Sequence, residues 1–137
     1  MIFIIILIAL QLIPIERSNP STDQNIALHP PKEVESILKK ACYDCHSNET
    51  KWPFYANIAP LSFSISSHIK DGRKALNFSE WKNIDPKIKT KRIQRAIKTI
   101  KNGMMPLPTY LWLHDEAKLT KEEKRVLTTW LKDQLGN

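Results

Sequence analysis

The stretch Pro31-Lys32-Glu33-Val34-Glu35-Ser36-Ile37-Leu38-Lys39-Lys40-Ala41-Cys42-Tyr43-Asp44-Cys45-His46 decides how the chain is read. Pro31 suits the first turn of a helix, where a missing N–H costs nothing, and Glu33 and Glu35 complement the positive end of the helix dipole. Val34, Ile37, Leu38, Ala41 and Cys45 recur at the three- and four-residue spacing of a single buried stripe. A helix is therefore predicted from Pro31 to about Cys45. Its end carries Cys42 and Cys45, the chain's only cysteines, with His46 directly after the second.

Residues at i, i+3 and i+4 of a helical turn point the same way, so both thiols and the imidazole are expected on one surface. Cys-x-x-Cys-His is the attachment signature of c-type haem. Two thiols can add to the vinyl groups at one edge of a porphyrin, and the adjoining His46 can then reach the iron from one face. Three other uses of such cysteines fit less well. A dithiol redox pair expects a βαβ setting, which the helical pattern lacks. A zinc site needs two further ligands, and His29, His68 and His114 have no paired spacing. A structural disulfide does not need the histidine.

Outward from the motif, the pattern stays helical. A second helix is predicted from Pro60 to Asp71, with Gly72 as its stop and Leu61, Ile65, His68 and Ile69 on one face. A strand is the rival there, because Leu61, Phe63 and Ile65 alternate with serines. Asn77 to Trp81 reads as a turn into a short helix capped by Ser79. A third main helix begins with Asp85 as N-cap and Pro86 at its first position and ends at Gly103, with Ile93, Ala96, Ile97 and Ile100 as its apolar stripe. A fourth starts at Thr120, with Glu123 completing a capping box and Val126, Leu127, Trp130, Leu131 and Leu135 facing the core. Met104 to Tyr110, with two prolines, is expected as an extended loop. The fold class is all-α, with long loops.

The 137 residues include three Gly and nine Pro, consistent with helices joined by rigid turns. Met1 to Ile15 form an apolar run broken only by Gln11 and Pro14. The run lacks an early Lys or Arg and a small-x-small cleavage site, so an uncleaved N-terminal membrane anchor is favoured over a removed signal peptide. Both place the domain outside the cytoplasm. Residues 16–30 are expected as a polar linker and 31–137 as the domain. The formal net charge of +7 fits a solubilising surface that also suits an acidic redox partner or anionic lipid. Basic residues are spread along the chain without a nucleic-acid motif, so no nucleic-acid partner is expected.

For the sixth iron position, Met105 leads over its neighbour Met104. Pro106 stiffens its loop, and two helices separate it from His46. His68, on the apolar face of its helix, is the rival. Arg73 is a candidate partner for a haem propionate. Trp52, Trp81 and Trp112 are candidates for the walls of a large apolar pocket.

The chain resembles c-type cytochromes in general and, in particular, a small family of exported haem-binding domain proteins. The resemblance covers about residues 30 to 131. It rests on Cys42-Tyr43-Asp44-Cys45-His46-Ser47-Asn48, Trp52-Pro53-Phe54-Tyr55, Ile58-Ala59-Pro60 and His68-Ile69-Lys70-Asp71-Gly72-Arg73. It continues through Leu76-Asn77-Phe78-Ser79-Glu80-Trp81, Met105-Pro106-Leu107-Pro108-Thr109-Tyr110 and His114-Asp115-Glu116-Ala117-Lys118-Leu119. It implies a cytochrome c-like helical fold around one covalently attached haem c, a periplasmic location and, in many members, a membrane tether. The expected function is one-electron transfer with redox proteins as partners and no small-molecule substrate, so no enzymatic turnover. The alternative is a haem-based sensor or peroxidase-like protein with an open sixth position. A thiol redox protein is a third class.

Overall fold

The computed structural model describes residues 1–135. Helix α2 (Lys32–Ala41) crosses the last helix, α7 (Lys121–Asp133), and α7 also packs along α5 (Pro86–Lys101). Each of these helices carries one apolar stripe that water would otherwise solvate, so the three stripes meet. Leu38 of α2, Ile93 of α5 and Leu127 of α7 are almost completely buried at the junction. Each such side chain contributes about 1.5–3 kcal/mol through the water it no longer orders. Lys40 and Glu123 join α2 to α7 at 2.5 Å over this core.

The helix ends follow local chemistry. The Asp85 carboxylate accepts the N–H groups of Lys87 and Ile88, with Pro86 opening α5. Gly103 lies just beyond α5 with φ 69°, a conformation that glycine adopts without strain. At α7 the Thr120 hydroxyl accepts the Glu123 N–H, and the Glu123 carboxylate accepts the Thr120 N–H, completing the box.

Several expectations need correction. The first helix does not run through to Cys45. It ends at Ala41, Cys42 leaves helical geometry (φ −132°, ψ −36°), and a separate turn, α3 (Tyr43–His46), follows. Helix α4 (Leu61–Ala75) replaces the predicted helix ending at Asp71 and passes straight through Gly72. The described residues contain no strand. The 3-10 turn Phe78–Asn83 is capped by the Asn77 side chain, not by Ser79, whose N–H is the donor. Inside the supposed extended loop lies a short helix, α6 (Pro108–Leu111). Proline cannot continue a helix but can start one, and Pro108 sits at the first position.

The stretch expected as linker joins the domain, through side chains in its first half and backbone in its second. Leu28 N–H donates to the Phe78 carbonyl at 2.8 Å, and Lys82 N–H to the Ile26 carbonyl at 2.9 Å, with Ala27 and Leu28 buried. Ahead of it, α1 (Ile2–Gln11) buries none of its side chains. Among the described residues no helix is long and apolar enough to cross a membrane.

Candidate haem site

The motif forms one helical turn of its own. The Cys42 carbonyl accepts the N–H groups of Cys45 at 3.2 Å and His46 at 2.9 Å, so the i, i+3, i+4 relation holds although α2 has already ended. Both cysteines are free thiols, each half-buried. Burial pushes the Cys42 thiol up to about 12 and the Cys45 thiol to about 11, so both stay protonated near neutral pH. A dithiol oxidoreductase needs a thiolate, made available by a lowered pKa. These thiols are shifted the other way.

The histidine is fixed in orientation by the backbone. A backbone carbonyl can only accept, so the 2.9 Å contact between His46 Nδ1 and the Leu76 oxygen fixes the proton on Nδ1 and leaves Nε2 as a lone-pair donor. Burial lowers the imidazole's pKa and keeps it neutral, against the opposing pull of the Leu76 and Gly72 carbonyls. Behind the ring, Phe78 lies 6.2 Å away and continues through Tyr43 and Trp81 as an aromatic row.

Helix α4 reaches the motif through Gly72. A Cβ there would lie 2.3 Å from the Cys45 carbonyl oxygen and 3.0 Å from the Cys45 Cβ. Only a hydrogen fits, so the backbone of α4 presses directly on the turn that carries both thiols. Arg73, the next residue, clasps the chain leaving the motif. Its Nε donates to the Ser47 carbonyl at 2.8 Å, and Nη2 donates to Asn19 Oδ1 at 2.8 Å and Thr50 Oγ1 at 3.0 Å. Four of its five N–H groups serve this flank, counting Nη1 to the Ser18 carbonyl at 3.5 Å.

Beside Cys45 opens a cavity of about 360 Å³, within the range of cofactor and ligand sites. The apolar face of α4, Leu61, Ile65, His68 and Ile69, borders this cavity. The protein side of α4 is made by Ser62 and Ser66, both buried, together with Ile69. An amphipathic helix that turns its apolar stripe toward a cavity needs an apolar occupant there. The donor set and this wall together fit a haem: two protonated thiols, a neutral imidazole with a free Nε2, and an apolar space at Cys45.

The remaining candidates are dispersed. Trp112 borders the cavity; Trp81 stands in the core behind Phe78; Trp52 donates from Nε1 to Asn19 Oδ1 at 3.3 Å. Met105 is half-buried and packs, like Cys42, against the buried core, away from the cavity wall on which His68 sits. Sequence reasoning missed a polar set opposite α4. Tyr55 donates to His114 Nε2 at 2.6 Å, His114 Nδ1 donates to Glu116 at 3.1 Å, and Tyr110, stacked on His114 at 4.2 Å, donates to Asp44 at 2.7 Å. Asp44 and Tyr55 stand 66 and 59 residues from their partners Tyr110 and His114, and no local signal joins them.

A helical bundle whose Cys-x-x-Cys-His turn adjoins an apolar cavity defines a haem-binding protein. The family model for the haem-binding domain matches residues 5–133, and the chain belongs to that family. Comparisons with curated proteins and with solved structures gave no match.

Proposed function

We propose that this haem-binding domain is a monohaem c-type cytochrome that carries single electrons outside the cytoplasm, tethered to the membrane by its N-terminal segment. The observation that carries this reading is the motif turn itself, with two free thiols and a tautomer-fixed imidazole on one turn and Cys45 at the border of an apolar cavity. Cys42 and Cys45 would hold the haem as thioethers, each S–H adding across one vinyl C=C with sulfur on one carbon and hydrogen on the other, with no net oxidation. His46 Nε2 would bind the iron, and the Leu76 carbonyl and Phe78 hold its ring. Bound haem supplies the one-electron couple. The chain's own residues exclude water from it and hold it in place.

We assign the sixth position to Met105, which, like Cys42, packs against the buried core and follows α5 on a proline-stiffened loop. A thioether ligand favours reduced iron and raises the potential relative to two histidines. His68 is the second reading, favoured by its place on the cavity wall. With either ligand bound no position is open, which supports a carrier over a sensor or peroxidase.

The test is spectroscopic. Protein made in a host with haem-maturation machinery should give a pyridine haemochrome of the thioether type and a reversible one-electron couple. The oxidised form should show the weak charge-transfer band of thioether ligation at the red end of the visible spectrum, and Met105→Ala should abolish it. A wild-type spectrum that lacks this band, changes on His68→Ala and does not change on Met105→Ala would transfer the ligand role to His68. Immediate carbon monoxide binding by the reduced wild type would replace the carrier reading with an open-site one.

A further inference from the structure

We propose that the rim of the cavity beside Cys45 is a lipid-binding surface, which turns the cavity mouth toward the bilayer as a contact separate from the insertion of α1. This rests on the membrane tether proposed above.

The first observation is where α1 is fixed. Gln11 Nε2 donates to the Ala59 carbonyl at 3.1 Å, and Gln11 Oε1 accepts the Ala59 N–H at 3.0 Å. This two-way pairing, 48 residues apart in sequence, pins the end of the apolar helix at the start of α4. Arg17 adds a bond to the Ala56 carbonyl at 3.5 Å. The second observation is what surrounds that point. Ile58 and Leu61 flank Ala59 and are exposed, and Leu61 borders the cavity.

The third observation comes from a distant segment. Trp112 and Leu113 border the same cavity, and Trp112 is 80% exposed. The Tyr55–His114 bond holds this segment beside the 3-10 turn that carries Phe54, itself 79% exposed. Exposed apolar side chains scattered singly need no explanation, but a cluster gathered round a cavity mouth marks an interaction surface. An indole at its edge suits the membrane interface.

Lipid is the occupant that the geometry favours over a second protein. The apolar surface of α1 also needs covering, and α1 is pinned to the same end of the molecule. A bilayer that receives α1 lies against the rim without further rearrangement. Lys51, exposed at the cavity border, and the net charge of +7 match anionic headgroups. Three acidic residues also lie there: Asp44 borders the cavity and accepts from the Tyr110 hydroxyl and the Lys51 N–H, and Glu116, next to Asp115, is engaged by His114.

The full-length holoprotein, incorporated into vesicles of phosphatidylethanolamine and phosphatidylglycerol that contain a diazirine-acyl phospholipid, is irradiated and digested with trypsin. Lipid adducts are expected in the peptides Trp52–Lys70 and Asn102–Lys118 as well as ahead of Arg17, and not in α5. Replacing both Trp112 and Leu113 with Asp should cut adducts in Asn102–Lys118 by about tenfold, with those ahead of Arg17 kept. Adducts only ahead of Arg17 would overturn the proposal and leave the tether standing, and so would adducts spread equally over α5. Absence of all adducts, with protein left outside the vesicles, would overturn the tether and the rim contact together.

Discussion

A methyl group at residue 72 would stand 2.3 Å from the carbonyl oxygen of Cys45, and backbone cannot swing aside as a flexible side chain can. Gly72→Ala is therefore expected to destabilise the holoprotein by about 3 kcal/mol, at the upper end of overpacking costs. Chemical denaturation followed at the haem absorbance checks this, and a loss below about 0.5 kcal/mol, the scatter of neutral surface changes, would contradict it. Cys42, Cys45 and His46 were legible in the sequence because spacing along one turn is a local property. The role of Gly72 was not. A glycine near a helix end reads as a stop, and only the spatial neighbour Cys45 shows that the helix must continue and approach closely. Arg73 likewise looked free for a propionate, whereas the acceptors it engages, Ser47, Thr50, Asn19 and Ser18, come from loops with no helical register to predict their position.

At the scale of elements, termini with side-chain caps were readable and apolar faces only partly so. Asp85–Pro86 and Thr120–Glu123 carry their partners within three residues, so α5 and α7 begin where the sequence places them. Thr120→Ala should cost about 1 kcal/mol, measured by thermal unfolding. The Lys40–Glu123 pair makes a pH prediction. The Lys40 hydrogen bond, first, and then the Thr120 N–H hold the Glu123 carboxyl below its ordinary value of 4.5. A carboxylate with a lowered folded-state pKa adds stability that is present above its unfolded value and is lost as pH falls through the folded value. Glu123→Gln should thus be less stable than the wild type at neutral pH by ~1 kcal/mol, with the gap closing over roughly pH 5 to 3. A gap that widens on acidification would contradict the assignment. Helix α4 shows the limit of periodicity. Its apolar stripe was correctly located, but periodicity cannot tell a face covered by protein from one left for a prosthetic group.

For the whole molecule, the helical class followed from the pattern, while the packing of residues 21–28 onto the domain did not. That stretch is polar and proline-flanked, and its attachment runs through backbone hydrogen bonds to Phe78 and Lys82, which composition does not encode. A chain of this length builds only a modest core, and here the α2–α5–α7 junction supplies it on one side while a cavity occupies the other. Filling that cavity with a covalently held apolar group would complete the fold, as the Cys45 thiol at its edge suggests. The most direct test is mass spectrometry of the tryptic peptide Ala41–Lys51 from protein matured in a haem-loading host. The expected peptide is heavier by one haem, with both cysteines resistant to alkylation. An unmodified peptide whose two thiols alkylate freely, from a host that loads a control cytochrome, would contradict covalent attachment at Cys42 and Cys45.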